Sequence, residues 1–176
     1  MYKGYVKFLL LLVTVLLMPL TASAKDVYQD PDTFVAESFD DKAPKMQRYL
    51  PDEELQKPIN KIMRHKYKLR AFPYWRKGDR TVWILEEIGK YKPITTGIVV
   101  KEGVIETLKV LVYRESHGWE VRYPSFTDQF KNAKLKNNNK LDTPIDGISG
   151  ATLSVKALTR LGQLALFFHK QVMENG

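Results

Sequence analysis

The sequence predicts an α+β fold: an antiparallel β-meander packed by helices, with a long helix closing the chain. Three observations predict it. Four runs rich in β-branched and aromatic residues, Ala71–Trp75, Thr81–Glu86, Ile94–Val100 and Val104–Tyr113, follow one another with only short turns between them. A helical stripe of Val155, Leu158, Leu161, Ala165, Phe168 and Val172 runs through the last stretch, Thr152 to Met173. Strand–helix–strand alternation is missing, which excludes a doubly wound sheet.

Residues 1–24 read as an address rather than as fold. Lys3 and Lys7 make a basic start, Phe8–Met18 is apolar apart from Thr14, and Ala22-Ser23-Ala24 offers a small-residue cleavage site after Pro19. That is the layout of a secretory signal peptide, and the apolar run is shorter than the roughly 20 residues of a membrane span. The expected protein is exported, periplasmic or otherwise extracytoplasmic, starts at Lys25 and has no stable membrane span after cleavage. An uncleaved signal would leave it membrane-associated. Residues 25–50 are acidic and without clear period, and are expected to form an extended lead-in. Residues 51–176 are expected to form a single domain.

Within that domain, Pro51-Asp52-Glu53-Glu54 has the composition of a helix start, and Leu55, Ile59, Ile62 and Met63 follow at helical spacing across Pro58. Lys77-Gly78-Asp79, Gly89–Pro93 and Lys101-Glu102-Gly103 supply the turns of the meander. In the fourth strand the face alternation slips near Thr107, which marks a bulge. Ser125–Phe130 reads as a short helix with Ser125 as its cap, and Asn132–Lys140 as an exposed loop.

Composition narrows the chemistry. The chain of 176 residues has no cysteine, which removes disulfides, iron–sulfur clusters, covalent c-type haem and thiol catalysis together. His65, His117 and His169 offer no pair with the spacing of a metal or haem site. Formal charge is +8 and unevenly placed: net −5 over Lys25–Glu54, +8 over Leu55–Lys92 and +3 beyond. In an exported protein this argues against nucleic acid. It leaves either a solvated face or a docking patch for an acidic partner.

The informative stretch is Asp146-Gly147-Ile148-Ser149-Gly150-Ala151-Thr152-Leu153-Ser154. Ser149 and Gly150 stand where the chain enters the last helix. The first amides of a helix lack internal partners, and the dipole favours an anion there, so a phosphate is a suitable guest beside the Thr152 hydroxyl. The same residues equally suit a plain start, with Ser149 as N-cap and Gly150-Ala151 small for packing.

Asp146, Ser149, Gly150, Ala151 and Thr152 together resemble the flavinylation motif of the FMN-binding domain family, without departure. The resemblance is to the covalently flavinylated domain that the sodium-pumping NADH:quinone oxidoreductase and the Rnf complex each carry on one of their component proteins. It implies that Thr152 is esterified to the phosphate of FMN by a separate magnesium-dependent flavin transferase using FAD, with Leu153 following in the same site. Lys90-Tyr91-Lys92-Pro93-Ile94 resembles the lead into the family's sheet, with Lys92 where a glycine is usual. Glu115-Ser116-His117-Gly118-Trp119-Glu120 stands where the family has a flavin-contact loop; Glu115 and Gly118 match, Ser116 is close, and His117, Trp119 and Glu120 depart. The resemblance is strongest over residues 83–168. Trp119 suits stacking on the isoalloxazine or a place on the rim; His117 suits the flavin edge or an exposed turn. Trp75, Trp83, His65 and His169 are expected to be structural, both histidines on helices.

The function expected from all this is an exported electron-transfer flavoprotein with covalent FMN. Its partners would be redox proteins, such as a cytochrome or a membrane redox complex. A flavin-dependent reductase with Glu115 or His117 as proton donor is the alternative, and an unmodified binding module the second.

Overall fold

The structure, a computed structural model, describes residues 26–175, so the expected signal segment and its cleavage site lie outside the described residues. Six antiparallel strands form one sheet: β1 (Asp26–Val27), β2 (Gln47–Tyr49), β3 (Phe72–Lys77), β4 (Arg80–Ile88), β5 (Pro93–Lys101) and β6 (Val104–Tyr113), in spatial order β1-β6-β5-β4-β3-β2. Strands β3 to β6 are the expected meander. The β5–β6 turn is two residues, Glu102 and Gly103, both with positive φ, the geometry whose twist matches paired strands.

Four helices accompany the sheet: α1 (Pro31–Glu37), α2 (Gln56–Met63), α3 (Pro124–Thr127) and α4 (Thr152–Glu174). The six-residue stripe of α4 is buried throughout, and it packs on one sheet face around Trp83, Leu85, Ile98 and Ile105. Trp83 is the hub, stacked on Tyr74 at 4.9 Å and tilted against Phe168 at 5.5 Å.

Of the segment expected as an extended lead-in, residues 26–50 are described, and they are folded into the domain. They contain α1 and supply both edge strands, β1 beside β6 and β2 beside β3. Asp30 caps α1 by accepting the amides of Asp32 and Thr33 at 3.1 and 3.0 Å, with Pro31 in the first turn. Phe34, Val35 and Phe39 then cover the second sheet face, over Val82, Val99, Leu111 and Val112. A glycine is required below them: a Cβ at Gly97 would stand 2.4 Å from the Phe34 ring.

Smaller differences have local causes. Residues 53–55 form a 3-10 turn, so Pro58 falls in the first turn of α2, where its missing N–H costs no hydrogen bond. Pro124 rather than Ser125 opens α3; Tyr123 is its cap, and 128–130 continue as 3-10. His65 lies just past α2 in the loop, bonded to Glu87 at 3.0 Å, not on a helix. His169 is on α4 and buried, and Trp75 is only half-buried, on the α1 side.

Two bulges in β6 position the site. Register shifts leave Glu106 and Leu111 as extra residues opposite β5. Ile105, Leu108, Val110 and Tyr113 therefore all face α4, where strict alternation from Val110 would have turned Tyr113 toward α1.

Candidate functional site

Tyr113 ends β6 pointing at the first turn of α4. Its hydroxyl donates to the His117 carbonyl at 2.6 Å, so its single proton is committed and the Ser154 hydroxyl, 2.9 Å away, is the donor to Tyr113. One buried phenol thereby ties the 115–118 loop to the helix start. Burial raises its pKa, which the Ser154 bond offsets only in part, so the donating proton stays in place. Gly118 closes the same junction in the left-handed region, φ 84°, where an added Cβ would stand 3.1 Å from both Ala151 and the Tyr113 hydroxyl.

The entrance to α4 is a tight turn. The Ala151 amide donates to the Ile148 carbonyl at 3.0 Å, and Gly150 has φ 80°, the value wanted at the third position of a type II turn. Ala151 is the N-cap and makes no side-chain cap bond, so Ser149 is not the cap. The first-turn amides have no carbonyl of their own helix to meet, while Thr152 and Leu153 are exposed and Ser154 is buried.

Opposite stands the turn between β4 and β5. Glu115 Oε1 accepts three consecutive amides, those of Lys90, Tyr91 (2.6 Å) and Lys92 (2.9 Å). Burial pushes this carboxyl up, but the three amides together with the Lys92 charge outweigh it and hold it below its ordinary value. Gly89 leaves the room: a Cβ there would meet the carboxylate at 3.0 Å. Arg114 braces the floor, donating to the Pro93 carbonyl and to Thr95 Oγ1, each at 2.9 Å.

Between the two turns lies a cleft of about 610 Å³, lined by Lys90, Tyr91, Glu115, Ser116, His117 and residues 150–154. Tyr91 is 74 % exposed and Leu153 45 % exposed, so the rim offers apolar surface to a flat guest. A volume of this order suits a cofactor-sized ligand. The donor set fits FMN: helix-start amides and a hydroxyl for the phosphate, apolar rim for the ring.

Of the residues singled out in the sequence, Glu115, Ser116, His117, Gly150, Ala151, Thr152 and Leu153 meet here, with Gly118 packed directly behind. Asp146, Ser149 and Trp119 do not line the cleft. Trp119 opens a 3-10 turn, 43 % exposed, and the Asp146 amide is tied to Gln129 Oε1 at 2.7 Å. Sequence reasoning missed Tyr113, and it gave Ser154, at the end of the informative stretch, no role. Their only signal was polar groups at the ends of an apolar strand and an apolar helix face. Among the described residues no group of His, Asp or Glu could hold a metal ion, and no helix is long and apolar enough to cross a membrane.

Glu115→Ala orphans three amides on an exposed turn, and we expect a loss of about 1–2 kcal/mol, discounted for solvent screening. Faster hydrogen exchange at the amides of residues 90–92 should accompany it. Because the folded carboxyl lies below its ordinary value, the contribution is present above pH 4.5 and is lost as pH falls below it. Unchanged exchange at those amides would show that the carboxylate does not hold the turn.

Residues 89–166 match the family model for the FMN-binding domain. No curated protein matches the chain.

Proposed function

We propose that this chain, which carries an FMN-binding domain at residues 89–166, holds its FMN covalently through a phosphoester on Thr152 and passes electrons between redox proteins outside the cytoplasm. The observation that carries the reading is the exposed Thr152 hydroxyl on the lip of the cleft, in the first turn of α4. When bound, FMN supplies one- or two-electron exchange. Thr152 holds the phosphate end, and the amides of the first helical turn face its charge. Tyr91 and Leu153 shelter the ring from water, and Tyr113 keeps both walls in register. A tether suits an exported protein, because it makes occupancy independent of free flavin.

Two observations favour a carrier over a reductase. Glu115 is committed to three amides and held ionised, which makes it a poor proton donor and leaves His117 as the only acid in the cleft from the pair expected. The chain also carries a basic surface outside the cleft lining. Lys57, Lys61, Lys66 and Lys68 on α2 and the loop after it are exposed and not ion-paired among the described residues. This face fits an acidic cytochrome or membrane redox complex.

The test is to co-express the protein with a flavin transferase, export it and denature it. Flavin fluorescence should stay with the chain, and the intact mass should rise by FMN less one water. Flavin that washes away on denaturation returns the protein to a noncovalent binding module. Fast turnover of the reduced protein with one small acceptor, and slow transfer to redox proteins at matched driving force, would instead make it a reductase.

A further inference from the structure

Thr152 lines a second cleft as well. This one, about 650 Å³, runs between α4, the segment 140–147 and the end of α2. Its lining holds four cations, Arg64, Lys140, Lys156 and Arg160, and not one carboxylate. The flavin-sized cleft differs: Lys90 there is matched by Glu115, and much of the rest is apolar. Thr152 is the one residue common to the two linings.

We propose that this basic cleft receives the diphosphate of the flavin donor when Thr152 is modified, so that the chain itself takes part in recognising the donor. The inference rests on Thr152 being the attachment residue. Lys156 follows Thr152 by one helical turn on the same helix face, and both line the cleft. Arg160 stands one turn further on the same face, anchored 3.7 Å from the buried Glu87 carboxylate. Arg64 and Lys140 close the cleft from other elements, so the charge surrounds a volume rather than lying along one exposed helix. A dinucleotide carries two phosphates at its centre, and a cleft with an excess of cations beside the acceptor hydroxyl matches that charge.

Thr152 Oγ1 forms a bond to the flavin-side phosphorus of FAD. The bond from that phosphorus to the bridging oxygen breaks, and adenosine monophosphate leaves with the oxygen and the electron pair. The hydroxyl proton passes to a base of the transferase. One anionic phosphodiester then remains where two phosphates had been, so the cleft holds the donor more strongly than either product, and Lys156 stays paired with the ester at an i,i+4 spacing.

The experiment measures initial rates of flavin transfer against concentration of the unmodified protein, with transferase, magnesium and FAD fixed. Lys140→Gln/Lys156→Gln should lower kcat/KM about tenfold, as expected for two partly solvated charge-assisted bonds, and flatten the dependence on ionic strength. Lys156→Arg in place of Lys156→Gln should restore most of it. Lys109→Gln/Lys136→Gln removes the same charge from exposed sites outside both clefts and should stay within about twofold. A second readout needs no transferase. ADP added to the unmodified protein should shift the amide resonances of residues 152–156, adenosine should not, and the Lys140→Gln/Lys156→Gln variant should lose the response. Equal kcat/KM in that variant and wild type, or equal losses in the two double variants, overturns the proposal, as does an ADP response that survives the substitutions. If wild type takes no flavin at Thr152 at all, it is the attachment reading that fails, and the ADP titration still tests the cleft.

Discussion

Thr152→Ala abolishes covalent flavin and leaves the fold standing: this is the largest effect expected of any substitution in the chain. The loss is all-or-none because the ester needs an oxygen, and alanine has none. The fold is spared because the threonine hydroxyl contributes nothing to it. Thr152 is exposed, makes no side-chain hydrogen bond among the described residues, and is not the cap of its helix. Alanine is also the better helix former, by about 0.5 kcal/mol, so the melting temperature should move by no more than about 2 °C. Thr152→Ser keeps an oxygen at the same place and should remain flavinylated. The measurement is intact mass after denaturation, with circular dichroism as the check on fold. Covalent flavin retained in Thr152→Ala would move the attachment elsewhere, and loss of fold would show that the helix start depends on this side chain after all.

That expectation was legible because the site is mostly a local feature. Gly150 is needed by a turn that four consecutive residues make, and Thr152 follows it into a helix whose stripe is plain. The meander was legible for the same reason, since each hairpin is announced by its own turn residues. What remained hidden depends on distant pairings. The bulge at Leu111 decides which way Tyr113 points, and the apolar run Val110–Val112 carries no mark of it. Without that bulge Tyr113 neither donates to the His117 carbonyl nor accepts from Ser154. The role of Glu115 was hidden too: a carboxylate beside a supposed flavin loop suggests a proton donor, and only the fold brings the amides of residues 90–92 onto it. Asp30-Pro31, by contrast, is a readable helix start in a segment expected to be extended because it is acidic and without clear period.

The second large effect is on stability and lies away from the cleft. His169 is buried on α4, its Nδ1 2.8 Å from Thr81 Oγ1, and Thr81 Oγ1 accepts the Trp83 indole N–H at 2.9 Å. An indole can only donate, so the Thr81 proton is free to point at His169, where the Nδ1 of a neutral ring can accept it. With Thr81 as donor, the chain Trp83–Thr81–His169 goes with a neutral imidazole. Burial, helped by the nearby Arg76 charge and opposed by Asp79, depresses the His169 pKa from 6.5 to about 4. A depressed folded value means the unfolded chain binds the proton first. The stability His169 contributes is therefore full above pH 6.5 and is lost as pH falls toward 4, by about 3 kcal/mol across the window. Burial raises the Glu87 carboxyl instead, and its contribution runs the other way above pH 4.5. Comparison with His169→Gln removes that background, because Glu87 is common to both proteins. Denaturant midpoints at pH 7, 6, 5 and 4.5 should fall steeply for wild type and more shallowly for the variant, with the gap between them narrowing as pH drops. Trp83 fluorescence should change over the same range, since protonating His169 reverses the demand on Thr81. Parallel pH profiles for the two proteins would mean that His169 is accommodated as a cation, and that the Trp83–Thr81–His169 chain is not a condition of the folded state.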